Sequence, residues 1–206
     1  MAIGKFIIFE GNEGTGKSTH ITFAADYLNK SNIDCIITRE PGGTSFGESV
    51  RDILLDPDSS LDSVSEAVLF YASRVYNYNH VILKALRENK YVICDRFHYS
   101  TLVYQGIAQN NNDVIELHKV LDPYFSKNIS LIFHLDASIE TCYSRINERE
   151  ISDKFEKQGK DLLIKIKSAY LDTFKKNSKV VNISTDAEKD KVQKSIKGHL
   201  DRLIDE

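Results

Sequence analysis

The chain has no tryptophan, one methionine and only three prolines in 206 residues. With so few prolines, long segments are free to form helix or strand without interruption. It has three cysteines, Cys35, Cys94 and Cys142, widely spaced and odd in number. That argues against a disulfide scaffold and reads as reduced thiols in the core of a cytoplasmic protein. No apolar run approaches the ~18 residues of a membrane span. The first residues lack a basic segment followed by an apolar stretch, so no secretion signal is expected. A net charge of −3 gives no global attraction for nucleic acid or an anionic membrane. The six histidines, His20, His80, His98, His118, His134 and His199, show no metal-ligand spacing, so no structural zinc is expected. Hydrophobic residues at 41% and charged residues at 28% suit a globular chain with one full core. The length suits a single domain over 1–206, with a short lid.

Against these absences stands one strong motif. Gly11-Asn12-Glu13-Gly14-Thr15-Gly16-Lys17-Ser18 fits Gly-x-x-x-x-Gly-Lys-Ser/Thr, the phosphate-binding P-loop, and Thr19 follows it. Lys5 to Glu10 before it reads as a buried strand, and Thr19 to Lys30 after it as a helix with Ile21, Ala24, Ala25 and Leu28 on one face. Strand, glycine loop and helix form the context that gives the motif meaning. Glycines let the backbone curl so that successive N–H groups point at phosphate oxygens. The start of the helix adds unpaired N–H groups and partial positive charge. In that geometry Lys17 reaches the β- and γ-phosphates of a bound nucleotide, and the Ser18 hydroxyl ligates Mg²⁺.

Apolar runs alternate with helical patterns along the whole chain. The strand candidates are Lys5–Glu10, Cys35–Arg39, Tyr91–Asp95, Ile129–Leu135 and Val180–Ile183. Between them lie helical periodicities: Val64, Ala67, Val68, Tyr71, Ala72 and Val75, then Leu162, Leu163, Ile166, Ala169, Tyr170 and Phe174. A last helix carries Val192, Ile196, Leu200 and Leu203. This alternation predicts an α/β, three-layer P-loop NTPase fold, with a five-stranded parallel sheet flanked by helices. In such sheets the ligand sits beyond the carboxyl ends of the strands, which directs attention to the residues that follow each strand.

After the second strand, Arg39 and Glu40 precede the turn Pro41-Gly42-Gly43 and can face a ligand from the strand edge. After the third, Asp95 can hold Mg²⁺ or its waters, and Arg96 can grip a second phosphate bidentately. Asp136 at the end of the fourth strand competes for the Mg²⁺ role, although capping of the following helix at Ser138–Asn147 equally explains it. Phe70 and Arg74 lie four apart on one helix face, where a ring and a guanidinium can hold a nucleobase. Thr101, Tyr104 and Gln105 sit on another helix, with Thr101 and Gln105 sharing a face. Arg145, Arg149, Lys154 and Glu156 fall in the lid segment at about 145–156. A cationic lid can neutralise a transferring phosphoryl group, and a solvated mixed-charge helix is the plainer reading of the same residues.

Taken together, the blocks Phe9-Glu10-Gly11, Thr38-Arg39-Glu40-Pro41-Gly42-Gly43-Thr44, Arg51 before Leu54-Leu55, Leu69-Phe70 with Ala72 and Arg74, Asp95-Arg96-Phe97 and Tyr104-Gln105-Gly106 resemble thymidylate kinase of the bacterial type. The resemblance spans about Gly4 to Phe174. It implies ATP with Mg²⁺ as donor, dTMP as acceptor, and dTDP and ADP as products. It implies that Phe70 stacks on thymine, Arg74 contacts its carbonyl edge, Thr101 and Gln105 read the base, and Tyr104 lies against the deoxyribose. Arg51 and Arg96 match positions that hold the acceptor phosphate, Glu13 a position near the 3′-hydroxyl, and Pro41 one that lines the nucleoside pocket. With no arginine in Gly11 to Ser18, the resemblance places the catalytic cation in the lid, Arg149 first and Arg145 second. It also implies a homodimer through helices near Ala67–Leu86. The chain departs from the family pattern at Tyr99, Asn77, Lys84 and Lys154. Another P-loop deoxynucleoside or deoxynucleotide kinase is the alternative, with Glu10 or Glu40 as the carboxylate base that a hydroxyl acceptor requires.

Overall fold

In the computed structural model, residues 4–148 and 159–205 are described. Five strands form one all-parallel sheet: β1 Phe6–Glu10, β2 Cys35–Arg39, β3 Tyr91–Asp95, β4 Ile129–Asp136 and β5 Val180–Ser184. Their spatial order is β2-β3-β1-β4-β5. Each matches its sequence expectation to within a residue at either end, because four- and five-residue apolar runs leave little room for another register.

Alternate residues on the central strands feed two separate cores. Phe6, Ile8, Val92, Cys94 and Ile132 pack on one face of the sheet, and Ile7, Phe9, Ile93, Leu131, Phe133 and Leu135 on the other. This is why the strands read as continuous apolar runs rather than alternating ones. The second face is covered by α1 (Lys17–Lys30) and the last helix, Lys189–Asp205. From these come Ile21, Ala24, Leu28, Val192, Ile196, Leu200 and Leu203. Each large aliphatic side chain so buried contributes about 1.5–3 kcal/mol.

The first face is more elaborate. Ser45–Leu55 forms α2, Ser63–Asn77 α3, Leu83–Arg87 α4, His98–Thr101 α5, Asn112–Ser126 α6, Ile139–Asn147 α7 and Gly159–Phe174 α8, so that the last helix is α9. Two wider π-helical turns interrupt this series, at Tyr78–Ile82 after α3 and at Leu102–Ile107 after α5. The α3 periodicity splits in a way the sequence does not reveal. Ala67 and Tyr71 enter the core, whereas Val64, Val68 and Ala72 face outward with Tyr76. Cys35 is only half-buried, unlike Cys94 and Cys142, and all three are free thiols. No described helix is long and apolar enough to cross a membrane.

A polar cluster lies within the first-face core. His98 Nε2 bonds Asp122 Oδ1 at 2.8 Å, and His118 Nδ1 meets the Tyr71 hydroxyl at 3.0 Å. His118 and Asp122 lie one turn apart on α6, and His98 joins them from α5, a grouping that histidine spacing alone does not expose. Burial lowers His98 to about 4, against the pull of Asp122. It lowers His118 to about 3, helped by His98 and the Arg74 charge. Both rings are therefore neutral in the folded protein at pH 5, whereas an unfolded chain takes up protons near pH 6.5. The unfolded state then binds more protons than the native state between about pH 6.5 and 4, so stability falls as pH falls through that window. The melting temperature measured by circular dichroism is expected to drop across it, and the slope to flatten in His118→Gln.

Candidate functional site

All five strands run the same way, so their carboxyl ends share one rim. There β1, β2 and β3 end in register, with Phe9 and Arg39 both opposite Asp95. A cleft of roughly 340 Å³ opens at this rim, a volume that suits a small-molecule ligand. Of the residues expected at a site, Glu13, Gly14, Gly16, Lys17, Ser18, Thr19, Glu40, Pro41, Arg51, Phe70, Arg74, Asp95, Arg96, Thr101, Tyr104 and Gln105 line it. Gly11, Asn12 and Thr15 are buried and do not line it. They shape the loop from behind: the Thr15 hydroxyl donates to Asn12 O at 2.9 Å, and the Asn12 amide to Leu163 O on α8 at 2.8 Å.

The P-loop is pressed against its surroundings. At Gly14, φ is +75°, and a Cβ there would fall 2.5 Å from the Cys142 carbonyl oxygen. Only glycine meets both the backbone conformation and the close approach. Lys17 begins α1, and its Nζ donates to the carbonyls of Gly11 at 3.1 Å and Asn12 at 2.9 Å. Burial, reinforced by the Arg96 charge, holds this ammonium below its ordinary pKa. The loop thus presents α1's N-terminal N–H groups and a desolvated cation to one end of the cleft.

Arg96 bridges the loop to the other end. Its backbone is left-handed, φ 63°, a conformation that is costly for a non-glycine residue and is found at functional sites. That backbone aims the guanidinium back across the rim. NH1 donates to Gly11 O at 2.9 Å, Ser100 Oγ at 3.1 Å and Tyr170 Oη at 3.3 Å. NH2 pairs with Glu13 and donates to Tyr104 Oη at 3.2 Å, and the cation lies 5.1 Å from the Tyr104 ring centroid.

Beneath Arg96 sits Glu10, fully buried. Its carboxylate accepts from Phe97 N at 2.8 Å, Ser100 N at 3.2 Å, Ser100 Oγ at 2.6 Å and Tyr170 Oη at 2.8 Å. Burial raises its pKa against these bonds and the Arg96 charge. Glu10 does not line the cleft. Of the two carboxylates that the alternative reading offers as a base, Glu10 has its oxygens occupied in holding the Arg96 loop.

At the far end, Arg74 is enclosed, forming an ion pair with Glu40 and donating to Thr101 Oγ1 at 3.0 Å. Asn77 bonds Glu40 Oε1 at 3.3 Å and accepts from Thr38 at the same distance. Burial pushes Glu40 up to about 7, against the opposing charge of Arg74. Arg51 donates to Pro41 O at 3.0 Å, tying α2 to the turn after β2. The sequence reading placed Thr101, Tyr104 and Gln105 on an ordinary helix. Instead Thr101 closes α5, and the other two lie on a π-helical turn. A π turn takes more residues per revolution than an α turn, and such turns recur at functional sites. Here Ser100, Thr101, Tyr104 and Gln105 all reach one cleft.

Asp95 satisfies a test for a cation site. Its Oδ1 is buried and has no hydrogen-bond partner, and Asp95 and Ser18 both line the cleft. An unsatisfied carboxylate oxygen that shares its cleft with a P-loop serine is a donor set suited to a hard divalent ion. Asp136, the rival, is committed elsewhere: its Oδ2 accepts from Lys167 Nζ on α8 at 2.8 Å. It does not cap α7 either, since Ser138 fills that position and accepts from Thr141 N. Arg145 does not line the cleft. It donates to Gly14 O and Thr185 O, both at 3.1 Å, clamping the P-loop to the turn after β5. Arg149, Lys154 and Glu156 lie outside the described residues.

The sequence reading did not single out Tyr170, Ser100, Leu55 or Glu66 as site residues. Tyr170 lies far down the chain on α8, and nothing in its apolar spacing marks the hydroxyl as a partner of Glu10. Glu66 did carry a signal, as an acid beside Ala67 on the buried side of α3.

A family model described as Thymidylate kinase matches residues 9–196. A thymidylate kinase of Caldicellulosiruptor saccharolyticus is 33% identical over 98% of each chain. One from Rickettsia bellii is 38% identical over 97% of each, and one from Neorickettsia sennetsu 48% identical over 57% of this chain and 56% of its own. With a match running from β1 into α9, and a cleft that combines a P-loop with a buried arginine-lined pocket, this chain belongs to the thymidylate kinase family.

Proposed function

We infer that the protein transfers the γ-phosphoryl group of ATP to dTMP, giving dTDP and ADP. The observation that carries this reading is Arg96, which lines the cleft and ties the P-loop carbonyl of Gly11 to the Tyr104 hydroxyl. A guanidinium at that point serves an acceptor that is itself a phosphate. The acceptor's second pKa is about 6, so at neutral pH it attacks as a dianion and needs no base. The hydroxyl acceptor of a deoxynucleoside kinase does need one, and the two carboxylates offered for it are engaged, Glu10 with Ser100 and Tyr170, Glu40 with Arg74.

Catalysis then consists of positioning two anions and offsetting their repulsion. The P-loop N–H groups and Lys17 hold the donor's phosphates, while Arg96 and Arg51 hold the acceptor's. Phe70 stacks on the thymine, Arg74, Thr101 and Gln105 meet its polar edge, and Tyr104 and Glu13 border the sugar. Ser18 and Asp95 would hold Mg²⁺, which when bound neutralises charge on the donor's phosphate oxygens. Arg149 is assigned the charge-neutralising role on the transferring group, and Arg145, engaged with Gly14 and Thr185, the structural one. We further propose a cytoplasmic location, with no nucleic-acid or membrane partner.

The outward stripe on α3, with Val68 at 52% and Tyr76 at 43% exposure, meets the exposed ring of Phe46 on α2, 5.5 Å from Tyr76 between ring centroids. Contiguous exposed apolar groups of this kind mark an interaction face, and it overlaps the Ala67–Leu86 segment expected to pair. We propose a homodimer through this face, and Val68→Glu is expected to shift the sedimentation coefficient from dimer to monomer.

Three further outcomes test the reaction. In a coupled ADP-release assay across the common nucleoside monophosphates and thymidine, dTMP is expected to give the highest kcat/KM, and thymidine none above background. Lys17→Ala is expected to lower kcat by about 10²–10³-fold, the scale for losing one preorganised charge-stabilising group. Phe70→Ala is expected to raise KM for dTMP about tenfold or more while leaving KM for ATP near wild type. Equal effects on both substrates would make Phe70 a packing residue only.

A further inference from the structure

Gln105, which lines the cleft, meets Glu66, which does not. Gln105 lines the cleft from the π-helical turn, yet its residue surface is only 1% exposed. Its Nε2 donates to Glu66 Oε2 at 3.1 Å. Glu66 is also buried, on α3 one turn before Phe70. A primary amide has a donor end and an acceptor end of nearly the same shape, so a bare glutamine can turn over and present either to a ligand. A carboxylate oxygen only accepts. Facing Glu66, the Gln105 amide has to offer its NH₂, and its carbonyl oxygen is left as the acceptor at the opposite end. Among the described residues, no donor is recorded on that oxygen.

We propose that Glu66 is a specificity-determining residue, acting through Gln105: it locks the polarity of the amide so that the pocket presents an acceptor to the ring of a bound pyrimidine. This rests on the reading that the acceptor is a pyrimidine nucleotide. Thymine and uracil carry a ring N–H donor between two carbonyls, and that donor complements a fixed carbonyl oxygen. Cytosine carries an unprotonated ring nitrogen at the same place, so two acceptors would face each other. A freely turning amide would accommodate either ring. A buried carboxylate behind it removes that freedom, and a buried polar site that rejects the mismatched partner discriminates strongly. Thus Glu66 is a positioning residue that need not touch the nucleotide.

The discriminating variant is Glu66→Gln. It is isosteric and keeps a hydrogen bond to Gln105, but its own amide can accept or donate, so both orientations of Gln105 become available. Dissociation constants of dTMP and dCMP are to be measured by isothermal titration on the full-length protein, together with melting temperature and KM for ATP. The expected result is a fall of about tenfold or more in the dTMP-over-dCMP preference, through tighter dCMP binding, with melting temperature and KM for ATP close to wild type. In a Gln105→Ala background the same substitution is expected to leave the ratio unchanged, because the group being oriented is gone. A preference retained in Glu66→Gln would overturn the proposal and leave the kinase reading intact, as would a preference lost equally with Gln105 absent. A wild-type protein that binds neither nucleotide would overturn both.

Discussion

The ion pair between Arg96 and Glu13 sets the spacing of everything else at the rim. It joins the P-loop, which follows β1, to the loop after β3, and it does so from a backbone conformation that an arginine adopts only under constraint. That constraint comes from below. Glu10 accepts the N–H groups of Phe97 and Ser100, and so fixes the two residues that bracket the next turn of chain after Arg96. Five hydrogen-bonding partners on one guanidinium leave little rotational freedom. The pair is partly buried, so its value lies less in net stability than in geometry: two strands' worth of phosphate-binding groups are held in one register.

The base end of the cleft is built differently, from a buried ladder of polar groups rather than a single hub. Thr38, Asn77, Glu40, Arg74 and Thr101 bond in sequence across β2, α3 and α5. Each is nearly inaccessible to water, so an unmatched member would be costly. Asn77 departs from the family pattern. In this chain it is a full participant, supplying an amide that donates to Glu40 and accepts from Thr38. Tyr99, another departure, packs against His98 and Phe174 and accepts from Asn177, away from the cleft.

The strands and the P-loop were legible because each rests on local chemistry: short apolar runs, and glycines at fixed offsets from a lysine and a serine. The site residues that follow a strand directly, such as Asp95 and Arg96, were legible for the same reason, since the rule for parallel sheets points to them. What local pattern does not encode is long-range pairing. Asp136 looked like a cap or a metal ligand, but its partner Lys167 is thirty-one residues away. Arg145 looked like part of a lid and instead grips the carbonyls of Gly14 and Thr185. The π turn at Leu102–Ile107 was also invisible, because an insertion of that kind changes no residue type, only the pitch. Val64 and Val68 carry the helical period of a core stripe, and only the packing reveals that they face outward.

The contacts flanking residues 149–158 carry one more consequence. On the upstream side, Arg145 at the end of α7 holds the carbonyl of Gly14; on the downstream side, the Leu163 carbonyl on α8 accepts from Asn12. Both abutments of this stretch therefore rest on the same eight-residue phosphate loop. A span fixed at each end to one foundation has its endpoints set by that foundation. An adjustment of the loop around a nucleotide therefore bears on both anchoring contacts, Arg145 to Gly14 and Asn12 to Leu163.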